Sequence, residues 1–368
     1  MQRRFALLRS RMKSASLAGL ILFSQAQPGY SGAVLYVSRY RLTTRRGYVL
    51  LPMDSEPILF VAGETQKVNA RKVSFITDIR SSQKSWGMLG ELISAVKNLN
   101  LEKSKIGIVN MNTMPYNDLK LLSEELSTIT FCDATEFFDQ VRWSKSEEEL
   151  ELLRETAKIL DGAFLKILDI LKAGVDEREV VGEVVKHLVR NGVDEMIILS
   201  AKGPSFSGHL GRPEHHRFSP GEHYIFSVEA QGPSGYWSQM VRFISFGPCD
   251  EEYRDLFLAA KEVLREGVET LLPGVRIRDV VKKMVHAAHQ RGLKIGEWIG
   301  HGMGVDLGDN LDVVITNENE ITEGMVITLH PHVQLPKSEK GITLGDTFAV
   351  TSKGAESLSS VEIEVYTV

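Results

Sequence analysis

Cysteine is almost absent: the 368 residues hold two, Cys132 and Cys249, far apart and outside any Cys-x-x-Cys or Cys/His ligand spacing. That excludes a disulfide scaffold and a thiolate zinc site, and it fits a reducing compartment. Long apolar runs are also missing. The nearest, Leu17 to Phe23, falls well short of the ~20 residues a bilayer-crossing helix needs. It follows Arg3, Arg4, Arg9, Arg11 and Lys13, a pairing that superficially resembles a secretory leader, but Phe5, Leu7, Leu8 and Met12 make the basic stretch amphipathic. A first helix feeding a first strand is the expected reading, in a soluble, cytoplasmic protein that does not engage membranes. Basic charge is not in excess either, since 43 Lys and Arg face 48 Asp and Glu for a net charge of −5. A chain of that balance lacks the phosphate attraction on which nucleic-acid binders depend.

What is present is ordinary for packed cores: 43% hydrophobic and 25% charged residues, at a length that favours two domains. The first part alternates strands and helices. Strands are expected at Leu17 to Phe23 and Ala33 to Tyr36, and a hairpin from Tyr48 to Val61 turning at Asp54, Ser55 and Glu56. Helix Leu89 to Lys97, strand Lys105 to Val109, helix Met114 to Leu126 and strand Thr128 to Cys132 follow. After residue 140 the pattern changes. Ser146 and Glu149 form the ends of a capping box, and Leu150, Leu153, Ala157, Leu160, Phe164, Ile167 and Leu171 recur at helical spacing up to Gly174. A second helix spans Glu177 to Arg190, with strands near Met196 to Ser200, His223 to Ala230 and Gly235 to Gly247. A second helix pair, Glu251 to Leu271 and Arg278 to Gly292, precedes strands at Met325 to Leu329, Ile342 to Thr351 and Val361 to Val368. The segments 171–180 and 272–280 read alike, which points to an internal duplication. The fold class is α+β: a mixed α/β domain over residues 1–140 and a pseudo-symmetric domain over 141–368.

Five stretches of the second domain carry the polar chemistry. They are Gly208 and His209; Gly235 to Arg242; Gly300 to Gly304 with Asp306 and Asp309; Gly324 to Pro331; and Asp346 to Thr351. In this order they resemble the creatinase, prolidase and methionine aminopeptidase family, whose C-terminal domain has the pita-bread fold. The resemblance covers the whole chain and implies the creatinase/prolidase N-terminal domain as well. Family members hold two divalent ions on two Asp, one His and two Glu. Here the first Asp falls on Val228, or on Glu229 with one gap, the second on Gln239, and the two Glu on His330 and Gly345; His301 alone is retained. The family's second His falls on Gly308 and its neighbouring Glu on Asp309.

So few carboxylates leave two hard cations under-compensated, and no metal or other cofactor is expected. A single zinc ion on His301, His330 and one carboxylate would need a third ligand that the sequence does not place. Creatinase resembles this fold without metal and uses a histidine as acid and base on a C–N bond; His209 matches that histidine. Its imidazole suits the role because it titrates near neutrality. The glutamate of creatinase just before the strand's Arg falls on Val241, so creatine is not the expected substrate.

The candidate catalytic residues are therefore His209 and His301. Glu229, Tyr236, Gln239, His330, His332 and Asp346 are candidates for binding substrate. His330 and His332 flank Pro331 at the alternation of a strand, which would put both on one face. Arg242 reads as structural, and His215 and His216 as part of a solvated loop. The leading expectation is a metal-independent hydrolase of an amide or amidine type bond in a small polar substrate. A binding protein that keeps a small molecule or peptide in the ancestral pocket, as the peptidase-like domain of a histone-chaperone subunit resembles this fold without activity, is one alternative. A metal-dependent Xaa-Pro peptidase is the other. The resemblance further implies a homodimer.

Overall fold

The structure, a computed structural model, describes residues 2–82 and 87–368. The chain divides into two compact units, 1–142 and 143–368. No helix among the described residues is long and apolar enough to cross a membrane.

The first unit runs α1 (Gln2–Ser14), β1 (Gly19–Gln25), α2 (Gly32–Ser38), β2 (Arg46–Pro52), β3 (Ile58–Ala62), α3 (Gly63–Val73), β4 (Asp78–Ser82), α4 (Gly87–Asn98), β5 (Lys105–Val109), α5 (Tyr116–Glu125), β6 (Thr130–Asp133) and α6 (Thr135–Trp143). Its sheet has the order β4-β3-β2-β1-β5-β6. The hairpin pairs β2 and β3 antiparallel, while β5 joins β1 in parallel. Residues 33–36 are helical, not the expected strand. All of α2 is buried, and a short apolar run buried all round has no period that distinguishes the two. Two contacts decide it: Ser24 Oγ accepts from the Val34 amide, and Arg39, in the left-handed region, donates its amide to Leu35 O to close the helix. Helices α3 and α6 and strand β4 also lie outside the sequence expectation, because each is short and largely polar.

The second unit opens with α7 (Glu147–Ile170) and α8 (Glu177–Arg190), then β7 (Glu195–Gly203), β8 (His223–Gln231) and β9 (Trp237–Ser245). Helices α9 (Glu251–Thr270) and α10 (Ile277–Gln290) follow. The chain ends with β10 (Lys294–Ile295), β11 (Trp298–Gly302), β12 (Asp312–Val314), β13 (Val326–Leu329), β14 (His332–Gln334), β15 (Gly341–Thr343), β16 (Gly345–Thr351), β17 (Gly354–Ser357) and β18 (Val365–Thr367). The Ser146 capping box is formed in full, with Ser146 N donating to Glu149 Oε2 at 2.9 Å. Replacing Ser146 by Ala is expected to cost about 1 kcal/mol in urea unfolding, since the Glu149 amide at the helix end loses its acceptor.

The duplication is visible bond by bond. Gly174 donates its amide to Phe218 O and Gly274 to Ile321 O. Both glycines have left-handed backbone, φ +89° and +88°. Glu177 N reaches His216 O as Ile277 N reaches Asn319 O. The two helices of each pair are therefore joined by the same turn, tied to the stretch that leads into β8 or β13. Helices α7 and α8 bury Leu160, Phe164, Val180 and Val184 against Phe226 and Val228 of β8. Helices α9 and α10 bury Phe257, Leu264, Val280 and Met284 with Phe243, Ile299 and Ile327.

The main sheet has nine strands, with β12-β11-β13-β16-β9-β8-β7 as its path. A small antiparallel sheet, β10-β14-β15, stands apart from it. Residues 342–351, expected as one strand, split at Leu344 between the two sheets.

Candidate active site

The registers of the main sheet align one row of side chains across its strands. Glu229 on β8 faces Gln239 on β9, Thr347 on β16 faces Thr328 on β13, and Thr328 faces His301 on β11. The Thr347 hydroxyl closes the gap in that row: it accepts from Gln239 N at 3.1 Å and donates to Gln239 O at 3.0 Å. Its proton is thereby used, so Thr328 donates to it at 3.0 Å. Opposed residues on paired strands share a face, which is how residues 229 and 301 come to one place.

Within this row Gln239 bridges Glu229 and His301. As drawn, its Nε2 donates to Glu229 Oε1 at 3.1 Å and its Oε1 lies 3.1 Å from His301 Nε2. His301 Nδ1 donates to Gly302 O at 2.9 Å. A carbonyl cannot donate, so Nδ1 carries a proton. Two proton arrangements satisfy every bond. One has an imidazolium at 301 and a carboxylate at 229; in the other the amide of Gln239 is turned over, His301 is neutral and Glu229 is a carboxylic acid. Burial lowers the pKa of His301 and pushes that of Glu229 up to about 7.

His330 lies just beyond the end of β13, and its amide donates to Ile299 O. Its ring centroid is 5.2 Å from that of His301 and 4.8 Å from that of Trp298, which in turn stacks on His301 at 5.3 Å. Burial first, and then His301, pull the pKa of His330 down to about 3. Its Nε2 is sealed from solvent and makes no hydrogen bond. Trp298 remains 49% exposed, its Nε1 donating to Asp312 Oδ1 at 2.9 Å.

A second group forms around His209. This residue is exposed, and its ring stacks on that of His332 at 4.0 Å. His332 Nε2 donates to Ser207 O at 2.7 Å, and burial, seconded by His209, lowers its pKa. The loop is clamped on the small sheet: Thr343 Oγ1 donates to Gly208 O at 2.9 Å and Gly341 N to Phe206 O at 3.0 Å. Gly208 has φ +79°, and a Cβ there would lie 2.5 Å from Gly341 C, so only glycine fits. No strand spans both His330 and His332, contrary to the alternation argument: β13 ends at Leu329 and β14 starts at His332. Each ring packs with a different histidine.

Two candidates are committed elsewhere. The Tyr236 hydroxyl donates to Glu149 Oε1 at 2.7 Å, tying β9's approach to the capping box. Asp346 forms a buried pair with Arg242 at 2.8 Å, and Ser357 Oγ adds a bond to it. Burial raises the pKa of Asp346 and Arg242 opposes the rise. Both belong to the frame rather than to the row of polar groups. Asp309 pairs with Lys145 in another buried bridge at 2.8 Å, and His216 pairs with Glu222. Asp306 is also buried. Trp298, Asp312, Thr328 and Thr347 escaped the sequence reading. Two of them, Thr328 and Thr347, do lie within quoted motifs, two residues from the family positions His330 and Gly345, where alternation would have marked them.

Among the described residues no group of three or more His, Cys, Asp or Glu is placed to hold a metal ion. The sequence matches the metallopeptidase family M24 over residues 151–352 and the creatinase/prolidase N-terminal domain over residues 4–143. It is 29% identical over 249 residues to an uncharacterized peptidase of Staphylococcus aureus strain MW2, covering 66% of this chain and 70% of that protein. Among solved structures it is similar to the prolidase of Pyrococcus horikoshii OT3, with TM-score 0.84, 22% identity and 99% of each chain covered. The N-terminal domain of FACT complex subunit SPT16 from chickpea is also similar, with TM-score 0.74, 15% identity, and 98% and 96% of the two chains covered. At such identities the last two likenesses concern the fold alone.

Proposed function

The chain belongs to metallopeptidase family M24, and from that premise we propose that it is a metal-independent hydrolase of an amide or amidine type C–N bond in a small polar substrate. His209 is its acid and base. The observation that carries this reading is the exposed ring of His209 stacked on a neutral His332 that is itself fixed to Ser207 O. A proton arriving on His209 meets no second positive charge in the ring beside it.

The chemistry balances without another reactant. As water adds to the substrate carbon, His209 takes a proton from it. As the C–N bond breaks, His209 returns that proton to the leaving nitrogen. His330, whose Nε2 makes no hydrogen bond, is available to hold a polar atom of the substrate beside the bonded row of Glu229, Gln239 and His301.

Two divalent ions do not fit the residues present. The five family positions offer one carboxylate, Glu229, with neutral Gln239, His301 and His330 beside it. The fifth, Gly345, is closed: a Cβ there would lie 2.5 Å from His330 Cβ and 2.7 Å from Leu329 O. Dinuclear sites rely on several carboxylates to offset the cations. No step is therefore routed through a metal.

The test is turnover of a panel of N-acyl amides, amidines and Xaa-Pro dipeptides by the purified chain, before and after excess chelator. Turnover unchanged by chelator and by added manganese, cobalt or zinc is expected. Chelator-sensitive cleavage of Xaa-Pro dipeptides, with two metal equivalents by elemental analysis, would restore the metallopeptidase reading. Tight binding of panel members with no turnover at all would leave a binding protein.

A further inference from the structure

We infer that the His301 and His330 end of the polar row is a binding subsite for an uncharged, planar group that donates an N–H to His330 Nε2, reached by lifting the Trp298 indole. The inference deepens the proposed function, on which it rests, by naming the class of group that the pocket takes.

The starting point is the atom without a partner. A buried acceptor left unmade costs free energy, and native structures keep such atoms where a ligand or water completes them. His330 Nε2 is sealed and unbonded, and the rings packed around it, His301 and Trp298, offer faces rather than donors. Trp298 Nε1 is engaged with Asp312, and His301 uses both of its nitrogens. The missing donor must come from outside.

The charge of that donor follows from the hydrogen bonds along the row. In each of the two proton arrangements that satisfy every bond, Glu229 and His301 together carry no net charge. A charged ligand would therefore find no net counter-charge in that row. Flat aromatic walls, with Trp298 half exposed and held by a single hydrogen bond, suit a planar amide.

The experiment uses the full chain labelled with ¹⁵N and reads the imidazole and indole nitrogens while acetamide, acetamidinium or acetate is added. Acetamide is expected to move the His330 Nε2 signal away from that of a bare lone pair and to shift the Trp298 indole N–H. The two charged probes should leave both unmoved. In His330→Phe, which keeps the ring and removes the acceptor, acetamide should bind about 3- to 10-fold more weakly, the effect of one neutral hydrogen bond. A larger response to acetamidinium or acetate would overturn the inference, as would no response of His330 to any probe. The wild-type spectra decide the matter even if the variant does not fold. His209→Ala should keep the acetamide response, because His209 packs on His332 and not on His330. A failure of the acid/base reading is therefore distinguishable from a failure of this one.

Discussion

Replacing His209 by Ala is expected to lower kcat by about 10²- to 10⁴-fold, the usual contribution of a positioned general acid and base, with KM changed little. Folding should survive, since the side chain is exposed and the loop is held through the main-chain oxygens of Gly208 and Phe206 rather than by His209 itself. His332→Ala acts through its neighbour: it removes the ring on which His209 rests and the bond to Ser207 O. A fall in kcat with KM preserved marks it as a positioning residue. If His209→Ala turns over substrate within about threefold of the parent, the acid/base assignment fails, because losses that small need no catalytic role.

The second large effect is on stability. Replacing Glu229 by Gln is expected to stabilise the protein by about 3 kcal/mol above pH ~7 and by nothing below pH ~4.5. Burial moves the folded carboxyl from 4.5 to about 7. Between those values the folded chain keeps a proton that the unfolded chain has released, so stability falls as pH rises through that interval and stays low beyond it. Gln carries no such penalty, and its NH₂ can donate to the Gln239 carbonyl as the acid O–H does. His330 works in the opposite sense, being held near 3, so acidification from 6.5 downward costs stability. That contribution is common to both proteins and cancels in the comparison. Urea unfolding at a series of pH values measures the difference. A variant less stable than the parent at every pH would mean that Glu229 accepts as a carboxylate and that His301 is an imidazolium.

Much of this architecture could be read from residues alone because local and long-range signals agreed. The capping box at Ser146 and Glu149, the helical spacing through Leu171 and the stop at Gly174 each have one structural solution. Where they disagreed, the reading failed. The Ala33 to Tyr36 segment is short and apolar, yet Ser24 and Arg39, one on each side of it in sequence, make it a helix. The site divides the same way. Glu229, Gln239 and His301 were legible through their places in motifs, but their connection depends on the registers of β8, β9, β16, β13 and β11. Tyr236 and Asp346 illustrate the converse: polar residues inside good motifs that the frame had already engaged. Trp298 carried no signal beyond lying three residues before His301.

The closed space at Gly345 also orders the routes by which such a pocket can change. Placing an acidic side chain there means separating the end of β13 from β16, since Leu329 O and His330 Cα, both main chain, stand 2.7 and 2.9 Å from where its Cβ would go. Substitutions at Gln239 and His330 alone leave that obstacle in place. Building a two-cation centre into this chain is thus a backbone redesign, because exchanging side chains one position at a time stops at residue 345.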